Sequence, residues 1–261
     1  MSWWTKFKML RFRISSFIVW RSKAIHLHGI HSPLVFELQQ FLKAEKIVPT
    51  SLKTYRKTLL THKNVLRLKD QGAGSFMDSS SQRSIRKIAK TSGSTSKKQR
   101  ALIGIVRFFN AKTILELGTN LGLGTTALAV DDHTCVVSVD ADPALVKFTQ
   151  QQLMKHGFRN VKIYASTFEA FLKRESQTYD LIFLDGHHQY DACLKNMEQL
   201  KRHIHSNTVI IIDDIRWSSE MHRAWKSIVK DSFWKLSIDF YQYGIVQRQE
   251  HRKKQHFYVK V

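Results

Sequence analysis

Residues 112–124 read KTILELGTNLGLG. An apolar run, Thr113 to Leu117, leads into a loop holding Gly118, Gly122 and Gly124, with Glu116 just upstream. A short apolar run ending at a glycine loop reads as a buried strand. Glycine has no Cβ, so the loop can turn sharply and let a ligand approach the main chain. The helix expected next begins with N–H groups that it cannot pair itself. The dinucleotide fingerprint is G-x-G-x-x-G, whereas the glycine gaps here are four and then two, the wrong order for NAD. A tight strand–helix turn with no ligand is the plain alternative.

The pattern around this stretch alternates. Strands are expected at 113–117, 135–139, 161–165, 180–184 and 208–212, with helices near 123–130, 143–156, 167–174, 189–204 and 217–230. Such alternation implies a parallel sheet covered on both faces. The end breaks the rhythm: 235–247 and 255–261 read as two strands with only a charged loop between them, an antiparallel hairpin closing the sheet. Upstream, 96–109 has helical spacing at Ala101, Ile105 and Phe108, with Ser96 as its expected cap. Residues 71–80 and 91–96 read as loops, and no internal repeat is visible.

Composition narrows the class. The 261 residues, 43% of them hydrophobic, can bury a core in one large domain plus an extension. Cys135 and Cys193 lie far apart, with neither a disulfide framework nor zinc spacing, which fits a reducing cytoplasm. The longest early apolar run, Phe17 to Trp20, is too short for a membrane span or a secretory signal. The net charge of +21 is uneven. Residues 1–100 hold 21 basic and 4 acidic side chains, a net of +17, against 21 and 17 in the remainder. The expected division is therefore a basic, mainly helical extension at 1–95 and a catalytic domain at 96–261.

The spacing E-x-G-x-x-x-G-x-G resembles motif I of class I S-adenosylmethionine (SAM) methyltransferases, whose loop passes under the methionine part of SAM. The resemblance implies a doubly wound, seven-stranded Rossmann-like sheet, parallel with an antiparallel C-terminal hairpin. It assigns SAM binding to Glu116, Gly118, Asn120, Gly122, Gly124, Asp140, Ser166, Thr167 and Asp185. Asp140 ends the second strand and can accept hydrogen bonds from both ribose hydroxyls. Its alternative is a helix cap, a role that Asp142 fills better. Ser166 and Thr167 would line the adenine or cap a helix.

Residues 179–191, YDLIFLDGHHQYD, put Asp185 at the end of the fourth strand, and VIIIDDIRW (209–217) puts Asp213 and Asp214 at the end of the fifth. Adjacent carboxylates call for a positive partner. Mg²⁺ would satisfy Asp185, Asp213 and Asp214; otherwise one caps a helix and another pairs with Arg216 or Arg223. Region 96–261 resembles the catechol O-methyltransferase-like family of small-molecule enzymes, which has an Asp-Asn pair where this chain has Asp213 and Asp214. The whole chain, with HGIHSPLVFEL (28–38) and GAGS (72–75), also resembles a group of uncharacterised bacterial class I methyltransferases. The implied reaction is O-methylation of a small-molecule hydroxyl, with His188, beside Asp185, as the base. Trp217, Met221 and Trp225 would wall an acceptor pocket or pack in the core.

The extension leaves several partners open. Trp3, Phe7, Leu10, Ile14 and Phe17, widened by Trp4 and Ile18, form one helical face, with Arg11 inside it and Lys6 and Arg13 flanking. That face would pack on the catalytic domain or a second subunit, giving a homodimer, or meet an anionic membrane as a peripheral helix, or reach nucleic acid. His28 and His31 read as structural, or as part of a lid over the acceptor. An RNA methyltransferase gripping phosphates through the basic segment is the rival activity. Against it, the fourth strand lacks the Asn/Asp-Pro-Pro-aromatic turn of adenine N-methylating enzymes. A non-enzymatic scaffold of the same fold is the third reading.

Overall fold

The computed structural model describes residues 3–24, 31–68, 82–91, 93–186 and 188–261. His28 of the HGIHSP element, the 71–80 loop with its GAGS stretch, and His187 lie outside the described residues. In chain order the elements are α1 (Trp3–Lys23), α2 (Pro33–Ala44), α3 (Thr50–Thr61), β1 (Val65–Arg67), β2 (Gln82–Ser84), α4 (Ile85–Thr91) and α5 (Ser96–Phe108). Then follow β3 (Thr113–Leu117), α6 (Leu123–Leu128), β4 (Cys135–Asp140), α7 (Pro143–Lys155), β5 (Val161–Ala165), α8 (Phe168–Arg174) and β6 (Tyr179–Leu184). The last are α9 (Tyr190–Leu200), β7 (Ile204–Ile212), α10 (Ser219–Lys230), β8 (Leu236–Asp239), β9 (Gly244–Gln247) and β10 (Gln255–Tyr258).

The chain forms two compact units, Ala44–Ser176 and Met1–Lys43 with Gln177–Val261. The change in charge near residue 95 is a boundary of composition; the compact units divide elsewhere. In unit 44–176, β3 runs parallel to β4 and β4 parallel to β5. Ile114, Leu115 and Leu117 are buried, as are Val136 and Val139. Continuous apolar strands of this kind are what a sheet covered on both faces requires. Side-chain caps fix where its helices start. Asp142 accepts from the backbone N–H groups of Ala144 and Leu145, and Thr167 accepts from that of Ala170. Thr95, not Ser96, caps α5, accepting from the Lys98 N–H. The antiparallel pair β1–β2 had no signal in the sequence.

In the other unit β6 is parallel to β7, with Leu184 opposite Ile212. Here the expected hairpin needs correction. The run 235–247 is not one strand but two, β8 and β9, antiparallel to each other. β9 is antiparallel to β7, and β10 lies parallel to β8. The main sheet strands, β3 to β10, therefore number eight among the described residues, where seven were expected. Their pairing, parallel in four cases and antiparallel in two, is that of a mostly parallel Rossmann-like α/β fold. The split comes at Tyr241, whose φ of 72° turns the chain. Phe240 donates its N–H to the Tyr243 carbonyl, and the Asp239 carboxylate accepts from the Tyr241 N–H.

α1 and α2 belong to this second unit. Pro33 opens α2, as expected. Gln39 donates from Nε2 to the Lys260 carbonyl at 2.5 Å. α1 docks along an edge formed by Arg13, Phe17 and Trp20. The Arg13 guanidinium lies 4.1 Å above the Trp217 ring and donates twice to the Trp217 carbonyl. Trp20 donates to the Asp239 carbonyl, and Phe17 and Trp20 both pack on Tyr241. On the apolar face, for which packing, a membrane surface and nucleic acid were the expected partners, Trp4, Phe7, Leu10, Ile14, Phe17 and Ile18 are all exposed to a large extent.

Candidate functional site

The loop after β3 is tied by hydrogen bonds from several elements of unit 44–176. Gly118 and Thr119 both donate their N–H to the Val139 carbonyl, which draws the loop across the end of β4. Gly118, Asn120 and Gly122 all have positive φ, at 117°, 48° and 72°. At Gly122 a Cβ would stand 2.9 Å from Thr149 and 3.0 Å from the Tyr55 hydroxyl, so glycine is needed for both space and conformation. Tyr55 of α3 donates to the Leu121 carbonyl at 2.9 Å, and Thr149 of α7 donates to the Asn120 carbonyl at 2.8 Å. Gln99 of α5, fully buried, donates to the Leu123 carbonyl and accepts from Arg56. Gly124 is buried within α6. Sequence reading missed Tyr55, Gln99 and Thr149, which hold the loop from helices distant in the chain.

Two carboxylates flank this loop. Glu116, completely buried, accepts at Oε2 from Thr125 and Ser138, each at 2.5 Å. Its Oε1 is buried without a hydrogen-bond partner among the described residues. Burial pushes the Glu116 carboxyl up to about 8, against the two hydroxyl bonds and with help from the Asp140 charge. Asp140 accepts from the Asn120 N–H at Oδ2 and from the Asp142 N–H at Oδ1. Its carboxyl is also raised, first by burial. Asp140 thus braces the glycine loop, while Asp142 takes the capping role. Ser166 donates its backbone N–H to the Asp140 carbonyl, and Thr167 serves α8 as its cap, the second of the two roles anticipated for it.

In the other unit the strand ends also fall as expected. Asp185 follows β6, Asp213 follows β7, and the Asp213 N–H donates to the Leu184 carbonyl at 2.9 Å. Asp213 is buried, and with burial itself it pushes the Tyr243 hydroxyl upward. Asp214 has a φ of 52° and starts the turn that leads to Trp217. His188 Nε2 stands 3.8 Å from Asp185 Oδ1, and both side chains are partly exposed. His188 Nδ1 is buried without a hydrogen-bond partner among the described residues.

Among the described residues, no three His, Cys, Asp or Glu side chains come together as a metal site requires. For the Mg²⁺ site expected at Asp185, Asp213 and Asp214, no such cluster is found among the described residues. Arg216, considered as a partner for one of these carboxylates, is committed elsewhere. It forms a two-pronged pair with Asp239, at 2.6 and 2.7 Å. Arg223 lies 4.1 Å over the Tyr190 ring. Met221 and Trp225 are core side chains; Trp225 donates to Asp239 and closes on Gly244. Trp217 receives Arg13 of α1.

Residues 115–215 match a family model described as a methyltransferase domain. The chain is similar to the SAH-bound methyltransferase PaMTH1 of Podospora anserina, with a TM-score of 0.60 and 15% identity over 85% of this chain and 97% of that one. It is similar to an O-methyltransferase of Bacillus cereus in complex with SAH, at 0.56 and 15%, covering 80% of this chain and 96% of that one. A third likeness is to the O-methyltransferase TomG of Streptomyces achromogenes, involved in tomaymycin synthesis and in complex with SAM, at 0.54 and 14%, covering 79% and 92%. At these identities the likeness shows the fold. No curated protein sequence matches the chain. The match to the methyltransferase-domain model covers 115–215, and the fold is a Rossmann-like methyltransferase fold.

Proposed function

We propose that this methyltransferase takes its methyl group from S-adenosylmethionine and delivers it to a hydroxyl of a small molecule. The observation that carries the reading is the pairing of Glu116 and Asp140 about one rigid glycine loop. Glu116 is buried and Asp140 partly so, both carboxyls are raised, and one Glu116 oxygen has no partner among the described residues. Such a place favours a cationic ligand. SAM carries an ammonium and a sulfonium, whereas a dinucleotide would bring a pyrophosphate. When bound, SAM supplies an electrophilic methyl group and leaves as its neutral thioether.

In this reading the main chain of 118–122 holds the amino-acid end of the donor, and Asp140 accepts from the ribose hydroxyls. Holding donor and acceptor in line supplies much of the acceleration. The acceptor hydroxyl gives up its proton to His188, whose Nε2 stands 3.8 Å from Asp185 Oδ1. The O-methyltransferases among the structural neighbours support oxygen as the acceptor atom.

Titration calorimetry with SAM and SAH tests the donor half. The wild-type chain should bind both. Asp140→Ala should weaken binding by about ten- to a hundredfold, since hydrogen bonds to a charged group contribute about 1.5–3 kcal/mol. Absence of binding by the wild type, or equal affinity in the variant with its fold intact, would overturn the reading.

A further inference from the structure

The helix α1 carries a docked edge and, beside it, an exposed apolar stripe. Arg13, Phe17 and Trp20 dock on Trp217 and Tyr241. Adjoining this edge, Trp4, Leu10, Ile14 and Ile18 are 65%, 57%, 53% and 62% exposed, and Phe7 continues the stripe. Lys8, Arg11 and Arg21 are exposed on the same outer surface. Residues 3–23 contain six Lys or Arg and no acidic residue, and the first acid of the chain is Glu37. The helix is about 30 Å long at 1.5 Å per residue, and no helix among the described residues is apolar enough to cross a bilayer.

We propose that the outer face of α1 is a docking surface for an anionic phospholipid bilayer, on which the helix lies in the plane of the interface. Charge complementarity selects this occupant. A row of large apolar side chains edged by cations matches an interfacial helix, whose apolar face enters the acyl boundary while its cations meet anionic headgroups. A second copy of the chain would set two such cationic helices against each other. A nucleic acid would engage the cations and leave Trp4, Leu10, Ile14 and Ile18 in water. The inner edge explains how the helix can present this face: Arg13 and Trp20 fix its rotation, so the stripe is held outward by hydrogen bonds.

Flotation of the full chain with vesicles tests the proposal. Phosphatidylcholine vesicles containing about 30 mol% phosphatidylglycerol should carry the protein at least tenfold better than phosphatidylcholine alone, and raising the salt should release much of it. Ile14→Glu with Ile18→Glu should lose the binding at least tenfold while circular dichroism, thermal unfolding and SAM affinity stay at wild-type values. Arg11→Gln with Arg21→Gln, which spares the apolar stripe, should remove most of the preference for anionic vesicles. Absence of flotation with the anionic vesicles would overturn the proposal, as would undiminished flotation of a folded Ile14→Glu, Ile18→Glu variant. A dimer in light scattering that the same variant splits would also overturn it, since a second copy would then cover the face. Retained SAM binding in every arm keeps this outcome separate from the assignment of the donor.

Discussion

The loop after β3 and the turn after β6 stand in the same topological position, yet they are built differently. The first is fixed by side chains from α3, α5 and α7, by three positive φ angles and by a bracing carboxylate. The second places Asp185 by strand register and leaves His188 partly exposed, with its nearest carboxylate oxygen 3.8 Å away. A donor common to many reactions suits a preformed, rigid seat. An acceptor-specific base can be held more loosely and tighten only when the substrate arrives.

The comparison is broken most forcefully at the looser end. His188→Ala should reduce kcat by about 10²- to 10⁴-fold, the usual worth of general-base catalysis, while SAM affinity in calorimetry stays unchanged. A loss of SAM binding would show that the turn belongs to the donor seat. At the rigid end, Gly122→Ala forces a side chain into the left-handed region, at about 1–2 kcal/mol, and into contact with Thr149 and Tyr55. The expected result is a lower midpoint of thermal unfolding and weaker SAM binding together. Unchanged unfolding would mean the clamp is slack.

A smaller effect sharpens the contrast. The Glu116 carboxyl is raised from 4.5 to about 8 in the folded chain. The folded state therefore holds this proton where the unfolded state has lost it. The corresponding stability is fully present below pH 4.5 and is lost as pH rises through about 8. Denaturant unfolding across that window should show the decline, and Glu116→Gln should flatten it. An unaltered slope would assign the pH dependence to another group.

Much of the sheet was legible because a buried parallel strand is a local feature: five or six apolar residues in a row, ended by glycine or aspartate. The strands Thr113–Leu117, ended by Gly118, and Tyr179–Leu184, ended by Asp185, were readable for that reason. The clamps on the glycine loop were not. Tyr55 lies 66 residues from Leu121, and a lone tyrosine in a basic helix carries no sign of its partner. The β8–β9 turn was hidden too, because Tyr241 adopts a positive φ that normally announces itself through glycine or asparagine. The same is true of Arg216 and Asp239, 23 residues apart, whose pairing withdrew Arg216 from the carboxylates after β7. In α1 the apolar periodicity was plain, but periodicity gives a face and not its direction. Arg13, read as flanking, turned out to be the docking group.

The seat of α1 has a consequence for synthesis. Trp20 bonds to the backbone of Asp239, 219 residues later. At ribosomal speeds of roughly 5–20 residues per second, about ten to forty seconds separate the emergence of the helix from that of its seat. Throughout that interval both its docking edge and its greasy stripe are bare. Exposed apolar surface on an incomplete chain favours clumping, so the wait for Asp239 is the aggregation-prone stage of this protein's synthesis.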